Sequence, residues 1–148
     1  MIFEINYFEN YLAIEPYKYA YPNSETDYSR NLISSKITIK ADKFHGEYIS
    51  ETESADFENF KERLEALYND LNGFASFDSL EPYLTLRVQG DGLGHFKCDC
   101  YAIPNPGFEQ SELKFVVHFD QTQIVTMVKS LDEIYENIRL LEPKNEII

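Results

Sequence analysis

The feature that most constrains this chain is the run 80–119, which alternates like three half-buried strands and then passes through Asp120-Gln121-Thr122 into a helical pattern. Leu84, Leu86 and Val88 alternate with Tyr83, Thr85, Arg87 and Gln89, the period-two mark of a strand with one buried face. Gly90-Asp91-Gly92-Leu93-Gly94 supplies the positive φ that a tight hairpin needs. The next strand puts Phe96, Cys98 and Cys100 on one face and His95, Lys97, Asp99 and Tyr101 on the other. Ile103-Pro104-Asn105-Pro106-Gly107 is a second turn, because neither proline donates to a ladder. The third strand buries Leu113, Phe115, Val117 and Phe119 and turns Lys114, Val116 and His118 outward. Matching apolar faces predict an antiparallel sheet with a helix against one side.

That helix is written immediately downstream. Asp120 with Gln123 three residues on makes a capping box. Ile124, Met127, Val128, Leu131, Ile134, Tyr135, Ile138 and Leu141 then recur at helical spacing, and Pro143 ends the run. A second amphipathic helix is predicted over 54–71, with Ser54 as N-cap and a stripe of Phe57, Phe60, Leu64, Leu67, Tyr68 and Leu71. Asn72-Gly73 should close it with a left-handed cap. A short strand over 74–79 leads back to the meander. The fold class is therefore α+β: an antiparallel β-sheet centred on 80–119, packed against helices at about 54–71 and 121–141.

Upstream, residues 1–22 read as two short strands broken at Glu9-Asn10 and at Pro16. The polar run 22–30 reads as a loop, and 32–40 and 44–49 as strands. With 148 residues, no linker and no repeat, the expectation is one globular domain over 1–148. No apolar run reaches the length of a membrane span, and the start lacks the features of a signal peptide. Two cysteines at i and i+2 form no disulfide framework. A cytoplasmic location is expected.

Charge narrows the classes of partner. Twenty-six acidic residues face 13 basic ones, a net charge of −13. Such a surface repels nucleic-acid phosphates and anionic lipid and favours a basic protein. Two stretches suit a protein partner. One is the carboxylate run Glu47, Glu51, Glu53, Asp56 and Glu58, with no Lys or Arg between Phe44 and Phe60. The other is the tyrosine-rich start, with Tyr17, Tyr19 and Tyr21; tyrosine combines apolar area with a hydroxyl. Each also has a plain structural reading, as a solvated helix start and as half-exposed strands.

No catalytic signature emerges. Cys98 and Cys100 share a buried face while His95 and His118 fall opposite, so the four do not converge as zinc ligands must. None of His45, His95 and His118 stands in a nucleophile motif. Gly90-x-Gly92-x-Gly94 opens a strand rather than a helix, unlike a phosphate loop. The expectation is a binding protein with no cofactor and no metal. The alternatives are a metal- or ligand-binding domain or enzyme built on the His and Cys residues, and a general interaction module.

Several landmarks together resemble the WapI-like immunity proteins of bacterial polymorphic-toxin systems. They are Phe44-x-Gly46, Phe57-x-x-Phe60-x-x-x-Leu64-x-x-Leu67, Leu71-x-Gly73, Leu84-x-Leu86, Gly94-His95 and Phe119-Asp120-Gln121-Thr122, spread over about 36–135. The resemblance implies a small, non-enzymatic cytoplasmic protein that binds and neutralises the toxin domain of its own strain. The expected partner is then the basic C-terminal domain of a cognate toxin, occluded by the acidic and tyrosine-bearing surface.

Overall fold

A computed structural model describes residues 1–141. Two four-stranded antiparallel sheets are built in chain order. The first holds β1 (Phe3–Tyr7), β2 (Asn10–Tyr19), β3 (Leu32–Ala41) and β4 (Phe44–Glu53); the second holds β5 (Asn72–Phe77), β6 (Leu84–Asp91), β7 (His95–Ala102) and β8 (Leu113–Asp120). A single turn, α1 (Asp27–Arg30), joins β2 to β3. The long helix α2 (Ser54–Asp70) connects the sheets, and α3 (Gln121–Leu140) follows β8.

The α+β class and the two amphipathic helices are as the sequence indicates, and the first four strands add a second sheet. The meander places Leu84, Leu86, Val88, Phe96, Cys98, Cys100, Phe115, Val117 and Phe119 in the core. α2 buries Phe57, Phe60, Leu64 and Leu67; α3 buries Ile124, Met127, Leu131, Ile134 and Ile138. Each such side chain contributes roughly 1.5–3 kcal/mol of transfer free energy. One apolar cluster takes side chains from both sheets and both long helices. α2 sits at its centre: the Phe60 ring lies 5.8 Å from that of Phe3 in the first sheet and 5.7 Å from that of Phe77 in the second. α3 lies beside α2, fastened by Lys61 Nζ to Asp132 Oδ1 at 2.7 Å, and reaches β8 as well as β1 and β2. Asn10 ties the sheets at their other margin. Its Nδ2 donates to the Val116 carbonyl at 2.8 Å, and its Oδ1 accepts the Asp42 N–H at 3.0 Å.

Several boundaries differ from the sequence reading, each for a local reason. Pro16 does not break its strand, because the register shifts between Pro16 and Lys18 and β2 runs on to Tyr19. β4 extends to Glu53, paired residue by residue with β3. Glu53, not Ser54, is the N-cap of α2, and its N–H donates to Asp56 Oδ2 at 2.9 Å. The left-handed residue that ends α2 is Leu71 (φ 61°) rather than the Asn72-Gly73 pair, although Gly73 also has positive φ. The capping box of α3 matches the expectation: Asp120 accepts from the Gln123 N–H, and Gln123 Oε1 accepts from the Asp120 N–H at 3.0 Å. The expected stop at Pro143 lies outside the described residues.

Candidate interaction surface

β4 organises the surface as well as the sheet. Along it, Ser50 and Thr52 are buried and Tyr48 is half-buried, so Glu47, Glu51 and Glu53 leave from the opposite face. Glu47 pairs with Lys36 of the neighbouring strand at 3.3 Å. Glu51 and Glu53 instead stand where three remote segments converge. From the β2–α1 connection, the Tyr21 hydroxyl donates to Glu51 Oε1 at 2.8 Å. Burial raises the pKa of Tyr28, helped by the carboxylates of Glu53, Glu81, Asp56 and Glu51. Burial likewise raises that of Tyr83, with Glu51 and Glu81 adding to it. The hydrogen bond to Glu51 raises that of Tyr21. The result is a face of four carboxylates interleaved with three tyrosine rings.

Asp56 is the buffered member of this face. Burial pushes its carboxyl up from 3.8 to about 6, against the lowering effect of the Glu53 N–H that it accepts, and the charges of Glu53 and Asp78 add to the rise. Anionic groups held this close favour a cation from outside to neutralise them.

The remaining residues singled out from the sequence are more dispersed. Tyr17 is exposed at the β2 bulge, with Lys18 Nζ 5.8 Å from its ring. Tyr19 turns inward, and its hydroxyl donates to the Ile138 carbonyl at 3.4 Å. Glu58 lies on the solvent side of α2, where its charge acts on Lys61. Tyr28, Glu81 and Tyr83 belong to the face but stand in a short helix and a loop far apart in sequence; only the tertiary fold brings them together.

Cys98 and Cys100 are buried with sulfurs 3.7 Å apart; the Cys100 sulfur and burial hold the Cys98 thiol well above its ordinary pKa. His95 and His118 lie on the other face of β7 and β8; nearby, hydrogen bonds from the Leu93 and His95 N–H groups lower the pKa of Asp91, and those from the Thr122 hydroxyl and the Gln123 N–H lower that of Asp120. Among the described residues no group of three or more His, Cys, Asp or Glu side chains is placed to hold a metal ion. No described helix is long and apolar enough to cross a membrane.

At the end of β4 opposite the acidic face, an apolar cleft of about 310 Å³ opens between residues 44–48 and the β7–β8 connection. Phe44, Tyr48, Ala102, Pro104 and Leu113 are among its walls, with Glu47 and Glu112 also lining it.

The sequence profile of the Immunity protein WapI-like family matches residues 3–139, nearly the whole chain. The protein belongs to that family. Membership brings a toxin-neutralising immunity role in general terms and, at family level, a non-enzymatic one; it also implies that a cognate toxin is bound. No curated protein matches the chain. Among solved structures, the chain is similar to the plant transcriptional regulator PBF-2 with a TM-score of 0.54 at 10% identity, over 94% of this chain and 82% of that one. It is also similar to WHY3 from Arabidopsis thaliana, with a TM-score of 0.49 at 9% identity over 95% and 89%. At such identity the first likeness is one of fold alone.

Proposed function

We propose that this protein is an immunity protein whose acidic, tyrosine-bearing face covers a basic surface of its cognate toxin's C-terminal domain and blocks it by occlusion. The observation that carries the reading is the convergence of Glu51, Glu53, Asp56 and Glu81 with Tyr21, Tyr28 and Tyr83 in a chain of the immunity family. Carboxylates steer a basic partner into place, and the half-covered tyrosine rings supply apolar contact at low entropic cost. Neutralisation of this kind requires no group transfer, in keeping with the absence of a catalytic motif in the sequence.

The test begins with capture of a partner on tagged protein in its own organism's lysate. The captured protein's C-terminal domain is then expressed alone and together with this chain. Growth arrest that the chain relieves, and that Glu51→Lys with Glu81→Lys no longer relieves, is the expected outcome. Arrest that wild-type chain fails to relieve refutes the immunity reading. The association rate should fall as salt rises, because screening weakens steering between exposed charges; a rate independent of salt refutes the electrostatic contribution.

A further inference from the structure

We infer that the free edge of β4, from His45 to Ile49, accepts an extended segment of the toxin as a fifth strand of the first sheet, with apolar and basic residues alternating along that segment. The inference rests on the immunity reading above and adds to it the mode of contact.

β4 closes the sheet order β1-β2-β3-β4, so among the described residues one of its sides has no strand beside it. Phe44 pairs with Ala41 across the two-residue turn Asp42-Lys43. In an antiparallel ladder the residues alternate between facing the partner strand and facing away from it. Phe44, Gly46 and Tyr48 therefore bond β3, while His45, Glu47 and Ile49 direct three N–H and three C=O groups outward. The N–H of Glu53, in the same phase, is already taken by Asp56 Oδ2 at 2.9 Å. The open stretch thus ends short of Glu53, within the acidic face. Such an edge pairs readily with any extended chain unless charge, proline or a covering element prevents it. Here no proline interrupts 44–53, and the cleft keeps the edge reachable.

The two sides of this edge differ in chemistry, which specifies the occupant. On the core side, Phe44 is 69% exposed and Tyr48 lines the apolar cleft. Between them, Gly46 leaves a gap: a Cβ built there meets nothing within 4 Å. On the outer side stand Glu47, which also borders the cleft, and, next in the same phase after Ile49, Glu51. An added strand also alternates. One set of its side chains enters the cleft and the Gly46 gap, so these must be apolar. The other set runs past Glu47 toward Glu51, so these favour Lys or Arg. A second copy of this chain fits less well, because pairing β4 with β4 brings the Glu47 and Glu51 rows of two molecules of charge −13 alongside each other.

The test uses an acetylated octapeptide of alternating valine and lysine, the same peptide with every second amide N-methylated, and the captured toxin domain. Amide exchange at His45, Glu47 and Ile49 should slow by about tenfold or more in the presence of the first peptide and stay unchanged with the methylated one. Gly46→Leu places a side chain in the gap, where its Cβ meets nothing within 4 Å. It should leave the melting temperature near wild type and weaken both peptide and toxin binding by about tenfold or more. Unprotected edge amides, or equal binding of the methylated peptide, overturn strand addition. Toxin binding that Gly46→Leu leaves intact overturns it too, while the immunity reading stands. A toxin domain that wild-type protein does not bind at all overturns the immunity reading and, with it, this occupant.

Discussion

Gly90 is the residue whose replacement should be most informative about how the two halves of the chain are joined. A Cβ at this position falls 2.3 Å from the Leu71 carbonyl oxygen, 3.0 Å from its carbon and 3.1 Å from Phe96 Cε1. Leu71 is the left-handed residue that ends α2, and its carbonyl accepts the Gly92 N–H at 2.9 Å. The end of the helix is thus laid directly on the β6–β7 hairpin, with no room for a methyl group between them. Gly90→Ala must push backbone rather than a flexible side chain. Overpacking costs about 1–3 kcal/mol, and stretching the Gly92–Leu71 bond adds about 0.5–1.5 kcal/mol. The expected loss is about 2–4 kcal/mol. At about 3 °C per kcal/mol for a chain of this size, that is a fall of about 6–12 °C in melting temperature.

Two other glycines calibrate the argument. Gly92 has open space around it but φ of +84°, so Gly92→Ala should cost only the left-handed conformation, about 1 kcal/mol. Gly46 has open space and no positive φ, so Gly46→Ala should be neutral or stabilising by up to about 1 kcal/mol. Urea denaturation of the three variants gives the order directly. If Gly90→Ala lies within about 0.5 kcal/mol of wild type, or costs no more than Gly92→Ala, the close approach of α2 to the hairpin is refuted.

Further expectations concern the caps and the buried polar atoms. Asp120→Ala removes the cap of α3 and should lower the melting temperature by about 2–6 °C. Its carboxyl pKa is lowered by the Thr122 hydroxyl and then the Gln123 N–H, so this stabilisation is present above the ordinary carboxylate range and fades as pH falls through it; an unmoved melting temperature at neutral pH would refute the cap. Asp56 has the opposite sign: its folded pKa of about 6 exceeds 3.8, so the folded chain holds the proton more tightly and stability falls as pH rises from about 4 to about 6. Asp56→Asn should therefore match wild type near pH 4 and be relatively more stable at pH 7, and a pH-independent difference between the two would refute the burial effect. Ser35 Oγ and Thr52 Oγ1 are buried with no hydrogen-bond partner among the described residues; Thr52→Val should raise stability by about 1 kcal/mol in denaturant melts, and a loss would show that the hydroxyl is bonded.

The chain from α2 onward was legible because its signals are local. Alternation in β6, β7 and β8, the apolar stripes of α2 and α3, and the Asp120–Gln123 box are each written within a few neighbouring residues. The misreadings arise where tertiary context outweighs a local signal. Pro16 looks like a strand end, yet a bulge at Pro16/Lys18 absorbs its missing donor. Gly73 looks like the helix cap, yet the chain must turn two residues earlier for the Leu71 carbonyl to receive the Gly92 N–H. Glu53 caps α2 because β4 carries its pairing with β3 as far as that residue, leaving its N–H pointed away from the sheet at Asp56.

The surface was half legible for the same reason. Glu51, Glu53 and Asp56 are a sequence cluster, and the strand-to-helix transition at Glu53 keeps them together in space. Tyrosine content alone does not separate the members of its stretch: the Tyr19 hydroxyl goes to the Ile138 carbonyl, whereas the Tyr21 hydroxyl goes to Glu51, and nothing in the spacing of the two distinguishes them. What separates them is the end of β2. Tyr19 is still in register with Ile33 and faces the core, while Tyr21, past the last pair, is free to fold back over the outer side of β4. Glu81 and Tyr83 arrive from the β5–β6 connection, and the Tyr48 hydroxyl, which donates to the Tyr83 carbonyl, fixes that connection against the core face of β4. The acidic face and the open edge are thus two consequences of where β4 lies in its sheet, and a partner that uses one is brought against the other.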